Sequence, residues 1–173
     1  MAHIGSGVEY SLHCLLYLVE RGDGLALSAR DLAEFQGVSV SYVAKLFTKL
    51  EKAGLVRSTE GIRGGFQLAR GASEISVLQV IDAVEGRKPL FDCKDIRAKC
   101  VLLADRESPQ AKPHDVCSIH AVMIQAEQAM RQSLASTSLA STRLPTASTP
   151  SWMPSCRGSS SSIIYGEQRS LEV

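Results

Sequence analysis

The stretch from Ser28 to Arg70 constrains the fold more than any other part of the chain. Ser28 stands three residues before Asp31, the spacing of a capped helix start, and the helical pattern runs to about Gln36. Gly37-Val38-Ser39 then interrupts it. Ser39 caps a second helix that reaches about Ala53 before Gly54 closes it. Its apolar face reads as Val40, Val43, Ala44, Phe47 and Leu50. Two short strands follow, Leu55 to Ser58 and Phe66 to Ala69, joined by Glu60-Gly-Ile-Arg-Gly-Gly. Two helices joined by a short glycine-containing turn make a helix-turn-helix, and the glycine-tipped hairpin behind it makes a wing.

The flanking sequence supplies the rest of a small helical domain. Leu12, Leu15, Leu16 and Val19 fall at helical spacing within a first helix from Val8 to Glu20, which Arg21-Gly-Asp-Gly breaks. Ser76 and Gln79 form a capping box for a fourth helix carrying Val77, Val80, Ile81 and Val84, with Gly86 at its end. The segment from Phe91 to Lys112 reads as irregular, and Val116 to Leu134 as a long last helix. The fold class is therefore mainly α with a small β-wing. From Ser133 to Ser162 the chain is dominated by Ser, Thr, Pro and Ala, with the near-repeat Leu134-Ala-Ser-Thr-Ser, Leu139-Ala-Ser-Thr-Arg. Such composition buries too little apolar surface to offset its ordering entropy, so 140–173 is expected to be a disordered tail.

A helix-turn-helix places its second helix in the major groove of duplex DNA, N-terminal residues nearest the bases. With the apolar face turned inward, Ser41, Tyr42, Lys45, Thr48, Lys49 and Lys52 remain outside. Residues 40–70 hold six basic side chains against two acidic ones, whereas the whole chain has a net charge of only +1. Positive charge is thus gathered where phosphates would lie. Gly61, Gly64 and Gly65 let the wing backbone approach DNA, and Arg63 can enter a narrow minor groove. The expected DNA-contacting residues are Ser39, Ser41, Tyr42, Lys45, Lys49, Arg57, Arg63, Gly64 and Gly65. Lysines along a helix also occur as a plain solvated face; the local charge excess and the arginine in the wing favour DNA.

Other classes find little support. There is no phosphate-binding glycine loop after a strand, no nucleophile elbow and no His-Glu-x-x-His pair, so no enzyme and no small-molecule substrate is expected. The apolar run Leu12 to Val19 is too short to span a bilayer and lacks the flanks of a signal peptide. A cytoplasmic protein is expected, in which the five cysteines serve as ligands or redox thiols rather than disulfides.

The strings Val38-Ser-Val-Ser-Tyr-Val-Ala-Lys, Leu50-Glu-Lys-Ala-Gly-Leu-Val and Gly61-Ile-Arg-Gly-Gly-Phe-Gln-Leu-Ala resemble the signature of the IscR/NsrR-type (Rrf-two) family of bacterial transcription regulators, over about residues 5–134. The resemblance implies a homodimer on a double-stranded DNA operator, its long last helices crossing between protomers, with repression the commoner mode. Many members of that family bind an iron–sulfur cluster that controls DNA affinity; others work without one. On this reading the chain divides into a winged helix-turn-helix domain (1–86), a cysteine-containing sensor loop (87–115), a dimerisation helix (116–139) and the tail (140–173).

Cys93, Cys100 and Cys117 are spaced C-x6-C-x16-C, with His120 close behind. Thiolates and an imidazole are soft ligands suited to iron–sulfur chemistry, while the tight Cys pairs of a structural zinc site are absent. Glu9 and His13 lie at i and i+4 on the first helix and share a face, as a plain surface pair also would. Gly7-Val-Glu-Tyr-Ser-Leu-His-Cys and Phe91-Asp-Cys-Lys-Asp-Ile-Arg are similar to the redox-sensing RsrR-like branch of the family. That branch holds a 2Fe–2S cluster between protomers, by Glu and His of one chain and two Cys of the other. Carried over by position, the ligands are Glu9, His13, Cys93 and Cys117; the rival set is Cys93, Cys100, Cys117 and His120 of one chain. The alternative is a metal-free regulator that senses through oxidation of Cys93 or Cys117, or through no cysteine chemistry. Cys14 reads as core packing, and Cys156 has no assigned role.

Overall fold

A computed structural model describes residues 4–21, 26–61, 64–94, 96 and 117–142. The chain divides into two units, Met1–Arg143 and Leu144–Val173, and the described residues all belong to the first. Arg63, Cys100, Cys156, most of the expected sensor loop and the tail beyond residue 142 lie outside them.

Helix α1 (Ser6–Arg21) packs its Val8, Leu15, Leu18 and Val19 into the core. Helix α2 (Ala29–Gln36) starts on a capping box. The Ser28 hydroxyl accepts the Asp31 N–H at 3.2 Å, and the Asp31 carboxylate accepts the Ser28 N–H at 3.0 Å. It ends on Gly37, at φ 63°, where a side chain would be strained. Helix α3 (Val40–Lys52) is capped by Ser39, whose hydroxyl accepts the Tyr42 N–H. Strands β1 (Val56–Thr59) and β2 (Gly65–Leu68) pair antiparallel, Val56 opposite Leu68 and Thr59 opposite Gly65. Leu27 adds one rung beside β2, exchanging two backbone hydrogen bonds with Phe66 at 3.1 and 2.8 Å. A 3-10 turn (Ala72–Glu74) leads into α4 (Val77–Glu85), which Ser76 and Gln79 cap as expected. The last described helix is α5 (Ser118–Ser136).

One core serves the elements from α1 to α4 and the segment after α5, while α5 itself buries no residue. Phe47, Leu15, Leu32, Leu50, Leu55, Ile75 and Leu139 are its largest fully buried side chains. The apolar face of α3 is rotated from the expected one. Leu46 is buried with Val43, Phe47 and Leu50, while Val40 is 46% exposed. Val40 sits in the first turn at the edge of the apolar stripe, on the side away from Leu46, so spacing alone misassigns it.

The second correction concerns residues 137–142. Val77 N–H donates to the Thr137 carbonyl at 2.9 Å, Leu139 N–H to Ile75 at 2.8 Å, and Ala140 N–H to Ala72 at 3.2 Å. The chain therefore returns from α5 to the front of α4 and inserts Leu139 into the core. Order continues through Thr142, past the point where composition places the start of a tail. Burial of one leucine and pairing of its backbone outweigh the weak local propensity of a Ser/Thr-rich segment.

Candidate nucleic-acid interface and sensor site

The outward side of α3 is built from residues left over after the core is filled. Ser41, Lys45, Thr48 and Lys52 are exposed and share the side opposite Val43, Leu46, Phe47 and Leu50. Ser39 is exposed at the cap, its hydroxyl 3.2 Å from that of Ser41. Tyr42 and Lys49 lie on the flank toward α1 and α4. Tyr42 meets the ring of Tyr10 edge to face at 5.7 Å. The Lys49 ammonium donates to the Val84 carbonyl at 2.6 Å, at the end of α4, where the helix leaves carbonyls without intrahelical donors. Lys49 thus works on α4 as well as adding charge.

The wing is fastened to α3. The Glu51 carboxylate accepts the Ser58 hydroxyl at 2.6 Å and its N–H at 2.9 Å. These bonds, the hydroxyl first, hold the Glu51 carboxyl below its ordinary pKa. Phe66 of β2 packs on Phe47 at 4.5 Å. Arg57 is exposed on β1 and donates to Gln67 across the ladder at 3.2 Å. The two glycines of the wing answer first to the protein's own backbone. A side-chain carbon on Gly64 would come within 2.5 Å of the Thr59 carbonyl oxygen, and one on Gly65 within 2.4 Å of that of Leu27. That pressure is invisible in sequence, because Leu27 is remote from the hairpin along the chain.

Glu9 and His13 are both exposed on α1. With Ser6, Tyr10, Tyr17 and Gln36 they line a shallow open groove of about 350 Å³. Tyr17 continues it toward α2, where its ring meets Phe35 at 5.2 Å. The cysteine half of the expected site lies near the start of α5. Cys93 is half-buried in a segment fixed to that helix: Leu90 N–H donates to Glu127 at 2.9 Å, and the Phe91 ring lies 6.0 Å from His120. Cys117 immediately precedes α5 and is also half-buried. Cys14 is fully buried, and burial pushes its thiol from 9.0 up to about 12, which keeps it protonated and unreactive.

Among the described residues of one chain, no three His, Cys, Asp or Glu side chains form a metal-holding group. Cys93, Cys117 and His120 do not make one by themselves, and Cys100 lies outside the described residues. Glu9 and His13 share one groove on α1, whereas Cys93 and Cys117 are half-buried near the start of α5. Their chemistry suits an iron–sulfur cluster if two chains each supply one half. Nor is any helix among the described residues long and apolar enough to cross a membrane.

Comparison with known proteins agrees with this architecture. The family model of Rrf2, described as an iron-dependent transcriptional regulator, matches residues 4–142. The chain is 34% identical over 132 residues to protein rrf2 of Nitratidesulfovibrio vulgaris, covering 76% of this chain and 81% of that one. It is 38% identical over 92 residues to the transcriptional regulator IscR of Vibrio atlanticus, covering 53% of each. Among solved structures it resembles CymR, the global cysteine regulator of B. subtilis, with a TM-score of 0.64 at 21% identity over 82% of this chain and 95% of that one. It also resembles T. potens IscR, with a TM-score of 0.60 at 24% identity over 80% and 84%. The match to residues 4–142 ends where the described domain does, at the turn after Leu139. The chain belongs to the Rrf2 family of DNA-binding, winged-helix transcription regulators and is not an enzyme.

Proposed function

We propose that the protein is a homodimeric regulator, acting as a repressor, whose operator affinity is set by a 2Fe–2S cluster shared between protomers. Glu9 and His13 of one chain would hold it with Cys93 and Cys117 of the other. When bound, the cluster supplies a one-electron redox couple and a change of charge beside α1. The reading is supported by Glu9 and His13 lining one exposed groove on α1, by Cys93 and Cys117 lying half-buried near the start of α5, and by the lack of any three-donor group among the described residues of one chain. Helix α5 supports it. Ile119, Val122 and Met130 are exposed along one side of that helix, next to the side on which Glu127 and Arg131 hold the domain. An apolar stripe on a helix with no buried residue is what a second copy of the helix would cover.

In DNA binding, α3 enters the major groove. Ser41 and Lys45 face the bases, and Lys52, Arg57 and Arg63 supply positive charge along the flanking backbone and wing. Tyr42 and Lys49 position α3 against α1 and α4. The sensor is coupled to this face through α1, because Tyr10 lies beside Glu9 and packs on Tyr42. A shift of α1 therefore tilts the recognition helix.

Gel-shift titrations of oxidised, reduced and apo protein on one selected operator test the coupling, and different affinities are expected. Equal affinity in all three states would exclude it. Visible absorption of anaerobically purified protein separates it from a thiol sensor, since thiols alone are colourless.

A further inference from the structure

Val40 opens the recognition helix and points its side chain into solvent, 46% exposed, one residue after the Ser39 cap. It is not among the apolar side chains packed against the core, although Val38, two residues earlier, is. Nothing local favours it there. A β-branched residue is a mediocre helix former, and the first turn of a helix prefers proline or an acidic side chain.

The rest of the outward face narrows what α3 can read. The hydroxyls of Ser39 and Ser41 share a hydrogen bond, and Ser39 also caps the helix. Thr48 donates to the Ala44 carbonyl at 2.8 Å. Tyr42 is packed on Tyr10, and Lys49 is held on Val84. Among the described residues Lys45 makes no ion pair. In the first two turns this leaves one exposed cation, Lys45, and one exposed apolar side chain, Val40, as the groups not already engaged. Bases in the major groove present one apolar feature, the 5-methyl group of thymine.

We infer that Val40 is a specificity-determining residue that contacts a thymine 5-methyl group in each half-site. The inference rests on α3 being the DNA-reading helix. Its contribution is apolar and short-ranged, so it discriminates between bases without adding to the salt dependence of binding.

The test starts by selecting binding sites from a random duplex pool with the full-length chain. Each thymine of the selected duplex is then replaced singly by deoxyuridine, which lacks only the methyl group. Affinities are measured for the unaltered protein and for Val40→Ala. One position per half-site is expected to lose about fourfold for the unaltered protein, the worth of one buried methylene-sized group, and nothing for Val40→Ala. Comparing the two proteins on the same pair of duplexes cancels any effect of the replacement on DNA shape. Val40→Thr keeps one methyl on a branched frame and is expected to fall between them; thermal melts by circular dichroism are expected to be unchanged for both variants. If no thymine is sensitive, or if Val40→Ala loses equally at the same position, the inference is overturned. Failure of the pool to enrich at all would overturn the DNA-reading assignment beneath it, and the inference with it.

Discussion

Tyr10 of α1 and Tyr42 of α3 meet edge to face, ring centroids 5.7 Å apart and planes at 90°. This contact joins the helix that carries Glu9 and His13 to α3, the second helix of the helix-turn-helix. Gly7 lies beside this contact, where a side-chain carbon would sit at ordinary contact distance, 3.4 Å, from the Tyr42 hydroxyl. An aromatic pair of this geometry contributes about 1 kcal/mol beyond its buried area. A Tyr10→Ala, Tyr42→Ala double-mutant cycle in urea should return a coupling of that size. Zero coupling would mean that the two helices are not linked here.

Lys45 and Lys49 look equivalent in sequence, four residues apart on one helix. The structure separates them, because Lys49 spends its ammonium on the Val84 carbonyl. Lys45→Met is expected to flatten the slope of log K against log salt by about one, the loss of one cation from the DNA-facing side of α3. Lys49→Met is expected to leave that slope unchanged and to lower stability by about 1 kcal/mol. Gel shifts at several salt concentrations and a urea melt distinguish the two.

Leu139 is fully buried, and its backbone pairs with Ile75. Leu139→Ala should cost about 3 kcal/mol in equilibrium unfolding, the usual penalty for emptying a packed leucine site. A loss under about 0.5 kcal/mol would mean that the segment after α5 does not belong to the core.

This contact also marks how far the sequence could be read. Caps at Ser28, Ser39 and Ser76 and the left-handed Gly37 are local signals, and all four appear where their residues put them. Leu139 and Lys49 could not be placed, because each depends on a partner far along the chain. The repeat Leu134-Ala-Ser-Thr-Ser, Leu139-Ala-Ser-Thr-Arg reads as low complexity, yet one of its leucines fills the core. Val40 was placed on the wrong side for a related reason. Periodicity fixes the direction of the apolar stripe but not the residue at which burial begins. The cysteines and the Glu9–His13 pair are legible as residue types, while the proposal that they meet across two chains rests on a surface that periodicity does not encode.

Arg131 of α5 grips Asp82 of α4 with two hydrogen bonds, 3.1 and 2.6 Å, which hold the guanidinium above its ordinary pKa. The pair is partly open to solvent, so a coupling of about 1 kcal/mol is expected in an Arg131→Ala, Asp82→Ala cycle. A cycle value indistinguishable from zero would remove this pair from the set of contacts that orient α5.

Cys14 predicts a pH dependence. Its folded pKa is raised to about 12, above that of the exposed thiol. The stabilisation from burying it neutral is complete below pH 9 and declines as pH rises from there toward 12. Unfolding monitored from pH 8 to 11 should show falling stability, and Cys14→Ala should flatten the curve. Iodoacetamide at pH 8 should leave Cys14 unlabelled in the folded protein and label it in urea, read by mass spectrometry.

The shared cluster is tested most directly by complementation between two defective chains. A Glu9→Ala, His13→Ala chain and a Cys93→Ala, Cys117→Ala chain are purified anaerobically, each alone and as a co-expressed heterodimer, and their visible spectra are recorded. The proposed arrangement predicts colourless homodimers and a heterodimer with half the cluster absorbance of the unaltered protein. Full absorbance from the Glu9→Ala, His13→Ala homodimer would place the ligands within one chain and contradict the account.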